Sequence, residues 1–121
     1  MKTIIAGSRN ITNYDLVESI IIESGFDITK VISGMAKGVD SFGELWAHYN
    51  NIGCHLCPAK WKREDGTVDR SAGYKRNVEM AEIADALIVI ILDDSKGSTH
   101  MLNIAKEKGL KIFEKRFYTK N

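Results

Sequence analysis

The sequence predicts a single-domain α/β sandwich of three layers, a parallel sheet of about five strands between two layers of helices. Three observations carry this reading. Apolar, β-branched runs alternate with segments of helical period along the whole chain. Three of those runs break abruptly into turns of small and polar residues: Ile4-Ile5-Ala6-Gly7-Ser8-Arg9, Val31-Ile32-Ser33-Gly34-Met35-Ala36-Lys37-Gly38-Val39-Asp40, and Leu87 to Leu92 with Lys96-Gly97-Ser98-Thr99 close behind. Finally, 121 residues, 44% apolar and 27% charged, is the size and composition of one ordinary domain, residues 1–121, with no repeat, linker or low-complexity segment.

The elements follow in order. Strand one is expected over Lys2–Ala6. Asn13 is placed to cap a helix from Tyr14 to Ser24, with Leu16, Val17, Ile20 and Ile21 on its inner face and Gly25 ending it. Strand two is Lys30–Ser33. The second helix runs from about Val39 to Asn50, with Val39, Phe42, Trp46 and Tyr49 as its apolar stripe and Gly43 and Ala47 allowing close approach to the sheet. Strand three is His55–Cys57. The polar stretch from Lys60 to Ala72, with Trp61 near its start, reads as a long loop of the kind that is often functional. A third helix covers Gly73–Ala84. Strand four, Leu87–Leu92, is apolar throughout, as a strand buried on both faces should be. A fourth helix runs from near Ser98 to Gly109, with Met101, Leu102, Ala105 and Lys108 on one side. Strand five is Lys111–Glu114, and the polar tail 115–121 is expected to fray. Right-handed crossovers and this alternation give the strand order 3-2-1-4-5. The switch point then lies between strands one and four, where open α/β sheets bind ligands.

Composition excludes several classes. Net charge is +1, from 17 basic and 16 acidic residues, so there is no global field to hold a nucleic-acid backbone or an anionic membrane. Nucleic acid and membrane are therefore disfavoured as partners, and any anion recognition is local. The run Ala86 to Leu92 is too short to cross a bilayer, and no signal peptide is visible, so a cytoplasmic location is expected by default. The two cysteines, Cys54 and Cys57, fall in a strand followed by Pro58, where positions three apart face opposite sides; ordinary buried thiols are expected rather than a redox pair. No second pair completes a zinc site, His48, His55 and His100 show no metal or triad spacing, and neither a metal nor a cofactor is expected.

The turns carry the chemistry. Gly7-Ser8-Arg9 offers the Ser8 amide and hydroxyl to a phosphate or carboxylate, with Arg9 adding a planar fork. The GxGxxG fingerprint is missing, which disfavours an ordinary dinucleotide dehydrogenase. Gly34 and Gly38 bracket the second turn, beside Ala36, and place helix-start amides toward the crevice. Asp40 reads either as a dipole-matched helix starter or as an acceptor for ribose hydroxyls. Ser95, Lys96, Gly97, Ser98 and Thr99 combine hydroxyls, a charge and helix-start amides, without the spacing of a P-loop. Arg76 and Asn77 open the third helix; with Trp61 they are placed to cover a base or pentose, Trp by stacking and Asn by paired hydrogen bonds.

Five segments in order resemble the YspA-type branch of the SLOG superfamily: Gly7-Ser8-Arg9; Val31-Ile32-Ser33-Gly34-x-Ala36-x-Gly38-Val39-Asp40; Pro58-Ala59-x-Trp61; Ala72-Gly73-x-x-Arg76-Asn77-x-x-Met80; and Ser95-Lys96-Gly97-Ser98-Thr99-His100-Met101. The resemblance runs from strand one through the fourth helix. It implies a Rossmann-like fold and a nucleotide or nucleotide-derived ligand. The superfamily includes LOG-type phosphoribohydrolases, the DNA-processing protein DprA, and sensors of ADP-ribose-like signalling nucleotides. Arg76 matches the catalytic arginine of LOG enzymes, whereas Met101 and Leu102 stand where their glutamate is expected, which removes the obvious agent of acid–base chemistry. The resemblance also implies self-association as a homodimer or higher homo-oligomer. The expectation is thus a small nucleotide-binding protein that senses or sequesters its ligand, as a viral counter-defence protein does. The enzymatic alternative is a nucleotide N-glycosidase using Arg76 and Asp40, and the third is a single-stranded DNA-binding protein of the DprA type.

Overall fold

The structure is a computed structural model and describes residues 1–119. The elements are β1 (Lys2–Gly7), α1 (Tyr14–Ser24), β2 (Lys30–Ser33), α2 (Val39–Tyr49), β3 (Gly53–Leu56), α3 (Ala72–Ile83), β4 (Ala86–Leu92), α4 (Lys96–Glu107) and β5 (Lys111–Phe117). All four strand pairings are parallel, and the sheet order is β3-β2-β1-β4-β5, as expected. β1 lies in register with β4 from Thr3 opposite Ala86 to Gly7 opposite Ile90.

The alternation of side chains along the strands divides the apolar residues between two cores. Leu87, Val89 and Ile91 face one side, where Met80 and Ala81 of α3 and Met101, Leu102 and Ala105 of α4 cover them. Ile88 and Ile90 face the other, beneath Val17, Ile20 and Ile21 of α1 and Val39 and Ala47 of α2. Residues Ala86 to Ile91 are therefore fully buried, which is why β4 has no polar alternation. α1 begins and ends where its caps dictate: the Asn13 side chain accepts the Leu16 amide at 3.3 Å, and Gly25 takes φ 67° beyond the last turn.

Several boundaries differ from expectation, each for a backbone reason. β3 starts two residues early and ends at Leu56; the Cys57 amide still donates to the Ser33 carbonyl at 2.8 Å, and the chain then leaves the sheet at Pro58. α4 starts at Lys96 and stops at Glu107, so Lys108 is its C-cap rather than part of its apolar side. β5 continues to Phe117 opposite Leu92, and the Asp93 amide donates to the Phe117 carbonyl at 2.8 Å. Residues 115–117 of the expected tail are thus strand, and residues 120 and 121 lie outside the described ones. Tyr49 leaves the apolar stripe of α2, standing exposed at its end with its ring edge-on to Tyr14, centroids 5.8 Å apart.

The stretch 60–72 is a small hairpin rather than an open loop. Lys62 bridges Val68 in antiparallel fashion, and Gly66 turns the chain at φ 88°. Asp69 anchors it: its carboxylate accepts from the Ser71 amide at 3.0 Å and the Ser71 hydroxyl at 2.7 Å, and pairs with Lys75 at 2.7 Å. These donors hold the Asp69 carboxyl well below the usual carboxylate range.

Candidate functional site

A cavity of about 660 Å³ opens at the C-terminal edge of the sheet, between the turns that follow β1 and β4. This is the switch point of the topology, and the volume suits a drug- or nucleotide-sized guest. The turn after β1 contributes Ser8, Arg9 and Asn10; the turn after β4 contributes Asp93, Asp94 and Ser95. The first turns of α2, α3 and α4 close the remaining sides through Asp40, Gly73 and Gly97.

Those three helices share a property that α1 lacks. None has a side-chain N-cap, whereas α1, no residue of which lines the cavity, is capped by Asn13. Among the described residues, the amides of Lys96, Gly97 and Ser98 at the start of α4, and of Gly73 and Tyr74 at the start of α3, have no acceptor. Unpaired amides and the positive ends of helix dipoles attract anions. At α4, the Thr99 hydroxyl donates to the Ser95 carbonyl at 2.8 Å, and the Ser95 and Ser98 hydroxyls meet at 3.1 Å.

Arg9, Arg70 and Arg76 bring three guanidinium groups to the cavity. Arg76 is half-buried and fixed: one N–H donates to the Gly34 carbonyl, and its Nε donates to the Asn77 Oδ1 at 3.2 Å. Burial weakens its hold on its proton, Asp40 opposes that effect, and the nearby charge of Arg9 reinforces it. Asp40 is 4% exposed and accepts the Gly7 amide at 3.3 Å and the Ala36 amide at 3.4 Å. It thereby ties the β1 and β2 turns together. Burial pushes its carboxyl up to about 6, against the lowering influence of Arg76 and the two amides, with Glu44 adding to the rise.

Other sequence expectations need correction. The glycines of the first two turns make room for the protein itself. A Cβ on Gly7 would lie 2.7 Å from Val39 Cγ2, one on Gly38 would lie 2.8 Å from the Arg9 carbonyl oxygen, and one on Gly34 would lie 2.7 Å from Arg76 Nη1. By contrast, a Cβ on Gly97 would meet nothing within 4 Å. Ser8 has no free amide for a guest: its N–H donates to the Ile90 carbonyl at 3.0 Å, and its hydroxyl accepts the Leu92 amide at 2.8 Å. It staples β1 to β4. Asn77 is 6% exposed, and its amide donates to the Gly97 carbonyl at 3.3 Å and approaches His100 Nδ1 at 3.1 Å. With Oδ1 held by Arg76, Asn77 joins the starts of α3 and α4 instead of reading a base.

The cavity wall includes Gly7, Ser8, Arg9, Ala36 and Asp40 from the first half of the chain, and Trp61, Arg76, Asn77, Ser95, Gly97 and Ser98 from the second. Gly34, Gly38, Lys96 and Thr99 stand behind it: Gly34 holds Arg76, and Thr99 closes the first turn of α4. Sequence reasoning missed Arg70, Tyr74, Asp93 and Asp94. Arg70 lies within the polar stretch singled out as functional, and Tyr74 is an aromatic residue in a helix's first turn, off the buried face; both signals were present. Met101 lines the cavity at the position where the resemblance places a glutamate, and Leu102 lies in the core.

Cys54 packs against the α1–α2 core and Cys57 in the α3–α4 core, on opposite sheet faces, and burial pushes both thiols up. Among the described residues, no three His, Cys, Asp or Glu side chains cluster to hold a metal ion, and no helix is long and apolar enough to cross a membrane.

No protein-family profile and no curated protein matches the sequence. Among solved structures, DNA processing protein A (DprA) from Streptococcus pneumoniae is similar, with a TM-score of 0.76 and 19% identity over 93% of this chain and 49% of that one. The chain thus spans about half the length of that structure. The likeness shows a shared Rossmann-like α/β fold.

Proposed function

We propose that this protein binds a nucleotide or nucleotide-derived small molecule, of the ADP-ribose-like or cyclic signalling kind, in the cavity between β1 and β4. One observation carries the reading: three helices begin at this cavity without side-chain caps, beside three arginines, in a chain whose net charge is only +1. Asp40, Asp93 and Asp94 line the same wall and formally offset the arginines, so it is the unpaired helix-start amides, together with the arginine forks, that favour a compact anion with several phosphate or carboxylate oxygens. The amides of Gly97 and Ser98 hold phosphate, Arg9, Arg70 and Arg76 balance its charge, and Trp61 meets the organic part. The motif resemblance to the SLOG superfamily supports the same ligand class. The absence of the expected glutamate favours sensing or sequestration of the ligand, as in viral counter-defence. A calorimetric titration with ADP-ribose, AMP and cyclic nucleotides tests the reading; saturable heat with one of them is expected, and no heat with any of them overturns it.

A second reading, nucleotide N-glycosidase, is supported by Asp40, a buried carboxyl at the cavity wall raised to about 6 beside Arg76. Release of free base from purine monophosphates, lost in Arg76→Ala and Asp40→Asn, would replace binding with catalysis. A third, single-stranded DNA binding, is supported by the fold likeness to DNA processing protein A. The balanced charge opposes it, and a gel shift at low salt decides it.

A further inference from the structure

We infer that the ligand carries an aromatic ring, and that this ring stacks on a wall formed by Trp61 and Tyr74 at the start of α3, beside the phosphate-holding start of α4. The inference rests on the anion reading above and names the second half of the guest. Two large aromatic side chains line the cavity yet stay open to solvent, Trp61 at 44% exposure and Tyr74 at 46%. An exposed tryptophan and tyrosine in a cavity wall leave a large apolar face uncovered.

Both are held in place. Trp61 lies against the backbone of Gly73: a Cβ there would be 3.3 Å from its Cη2 and 3.9 Å from Arg76 Nη2. Gly73 thus leaves a gap that brings the indole and the fixed guanidinium of Arg76 to one point. The hairpin supporting Trp61 is anchored by Asp69, and the Asp69 amide donates to the Trp61 carbonyl at 2.6 Å. Tyr74, the next residue after Gly73, stacks on His100 with centroids 4.3 Å apart and planes inclined by 33°. His100 is in turn set by Asn77, whose side-chain amide nitrogen lies 3.1 Å from its Nδ1. One face of Tyr74 therefore has a rigid backing. A platform ordered in advance loses little entropy when a flat ring lands on it.

The geometry also selects a ligand class. A sugar phosphate satisfies the amides of α4 and the arginines but leaves the open faces of both aromatic side chains uncovered. A nucleotide satisfies both ends. Base–aromatic stacking is sequence-tolerant, so this wall accounts for the presence of a base more than for its identity.

The test compares AMP, ribose 5-phosphate and inorganic phosphate by calorimetry and by tryptophan fluorescence, on the wild type, Tyr74→Ala and Tyr74→Phe. AMP is expected to bind more tightly than ribose 5-phosphate and to quench the fluorescence, which ribose 5-phosphate leaves unchanged. Tyr74→Ala is expected to weaken AMP about tenfold while sparing ribose 5-phosphate, and Tyr74→Phe to restore AMP. Equal affinity for AMP and ribose 5-phosphate, or an AMP affinity indifferent to Tyr74→Ala, overturns the ring wall and leaves the anion reading standing. No binding of any of the three, nor of ADP-ribose or a cyclic nucleotide in the same titration, overturns both; where only ADP-ribose or a cyclic nucleotide binds, the same comparison with ribose 5-phosphate and the Tyr74 variants is made with that ligand. Thermal unfolding of each variant shows that it is folded before the comparison is made.

Discussion

Arg76 reaches back from α3 to donate a guanidinium N–H to the carbonyl of Gly34, the residue that ends the run of β2. Asp40 also borders Gly34. A Cβ at Gly34 would be 2.7 Å from Arg76 Nη1 and 2.9 Å from Asp40 Oδ2, yet no ion pair within 4.0 Å joins the two side chains among the described residues. The positive and negative groups face each other across a residue with no side chain, and each is held by backbone instead. Arg76 therefore keeps N–H groups for a guest.

Two alanine substitutions follow with different outcomes. At Gly34 the new methyl group meets side-chain ends rather than backbone, the Arg76 guanidinium and the buried Asp40 carboxylate, and Arg76 yields because Asp40 is held by two amides. Gly34→Ala is expected to cost about 1–2 kcal/mol in urea unfolding and to weaken AMP at least fivefold through the displaced guanidinium. At Gly7 the methyl group meets the Ile90 carbonyl and Val39, backbone and packed core that have nowhere to go. Gly7→Ala is expected to cost about 3 kcal/mol or more and to yield little folded protein. Equal stabilities for the two variants would contradict the packing described for the β1 turn.

The thiols are expected to be inert. Cys54 and Cys57 are three positions apart, at a strand and its extension, and point into different cores; a disulfide needs Cα atoms within about 7 Å of one another. Intact mass after air oxidation is expected to show no loss of two hydrogens. Labelling by a thiol reagent is expected to be slow in buffer and complete in urea, because burial disfavours both thiolates. Rapid native labelling of Cys57 would mean that the α3–α4 core opens more readily than its packing implies.

The fold was legible because its signals are local. Asn13 and Gly25 mark the ends of α1 within one residue, and the unbroken apolar run of β4 marks the central, doubly covered position. The site was legible as a place and less so as a set of roles. Turn composition locates the switch point, but a glycine needed to admit a ligand and a glycine needed to admit the protein's own backbone read alike. Only the packing separates Gly97, with open space around it, from Gly7 and Gly38, which are filled by neighbouring backbone. Ser8 and Asn77 follow the same logic: polar residues in a functional turn are ligand groups or staples according to whether a partner from another element reaches them. Arg70 and Tyr74 each carried a signal of residue type and location, but that they meet at the cavity depends on the hairpin folding back over α3, a contact that residue spacing does not encode.

Asp40 gives the fold a pH signature. Its carboxyl is raised to about 6 inside the protein and returns to an ordinary value when unfolded, so the native state binds its proton more tightly. Its contribution is fully present below about pH 4 and is lost as pH rises toward 6, a change on the order of 3 kcal/mol, flat above that. Asp69 has the opposite sign, since its lowered carboxyl stabilises the fold above the ordinary carboxylate range and ceases to do so in acid. The two trends overlap in the wild type and are separated by Asp40→Asn. The variant forfeits one of two amide bonds, a cost independent of pH, and removes the buried charge. Its stability relative to wild type is therefore expected to rise between pH 4 and 6.5 in parallel urea titrations. A constant difference across that range would show that Asp40 titrates normally.

Gly97 separates ligand recognition from folding. It sits in the first turn of α4 at the cavity wall, its amide has no acceptor, and a Cβ there meets no atom within 4 Å. Its φ does not require glycine, so alanine is compatible with the backbone and reduces the entropy of the unfolded chain. Gly97→Ala is expected to raise stability by up to about 1 kcal/mol, a small upward shift in Tm. The same methyl group intrudes where a phosphate approaches the amides of Gly97 and Ser98, so affinity for AMP and for ribose 5-phosphate is expected to fall together, about tenfold or more. This pattern differs from that of Tyr74→Ala, which spares the sugar phosphate. Retained affinity for both ligands in a stabilised Gly97→Ala protein would move the phosphate away from the start of α4, to the three arginines and the free amides at the start of α3.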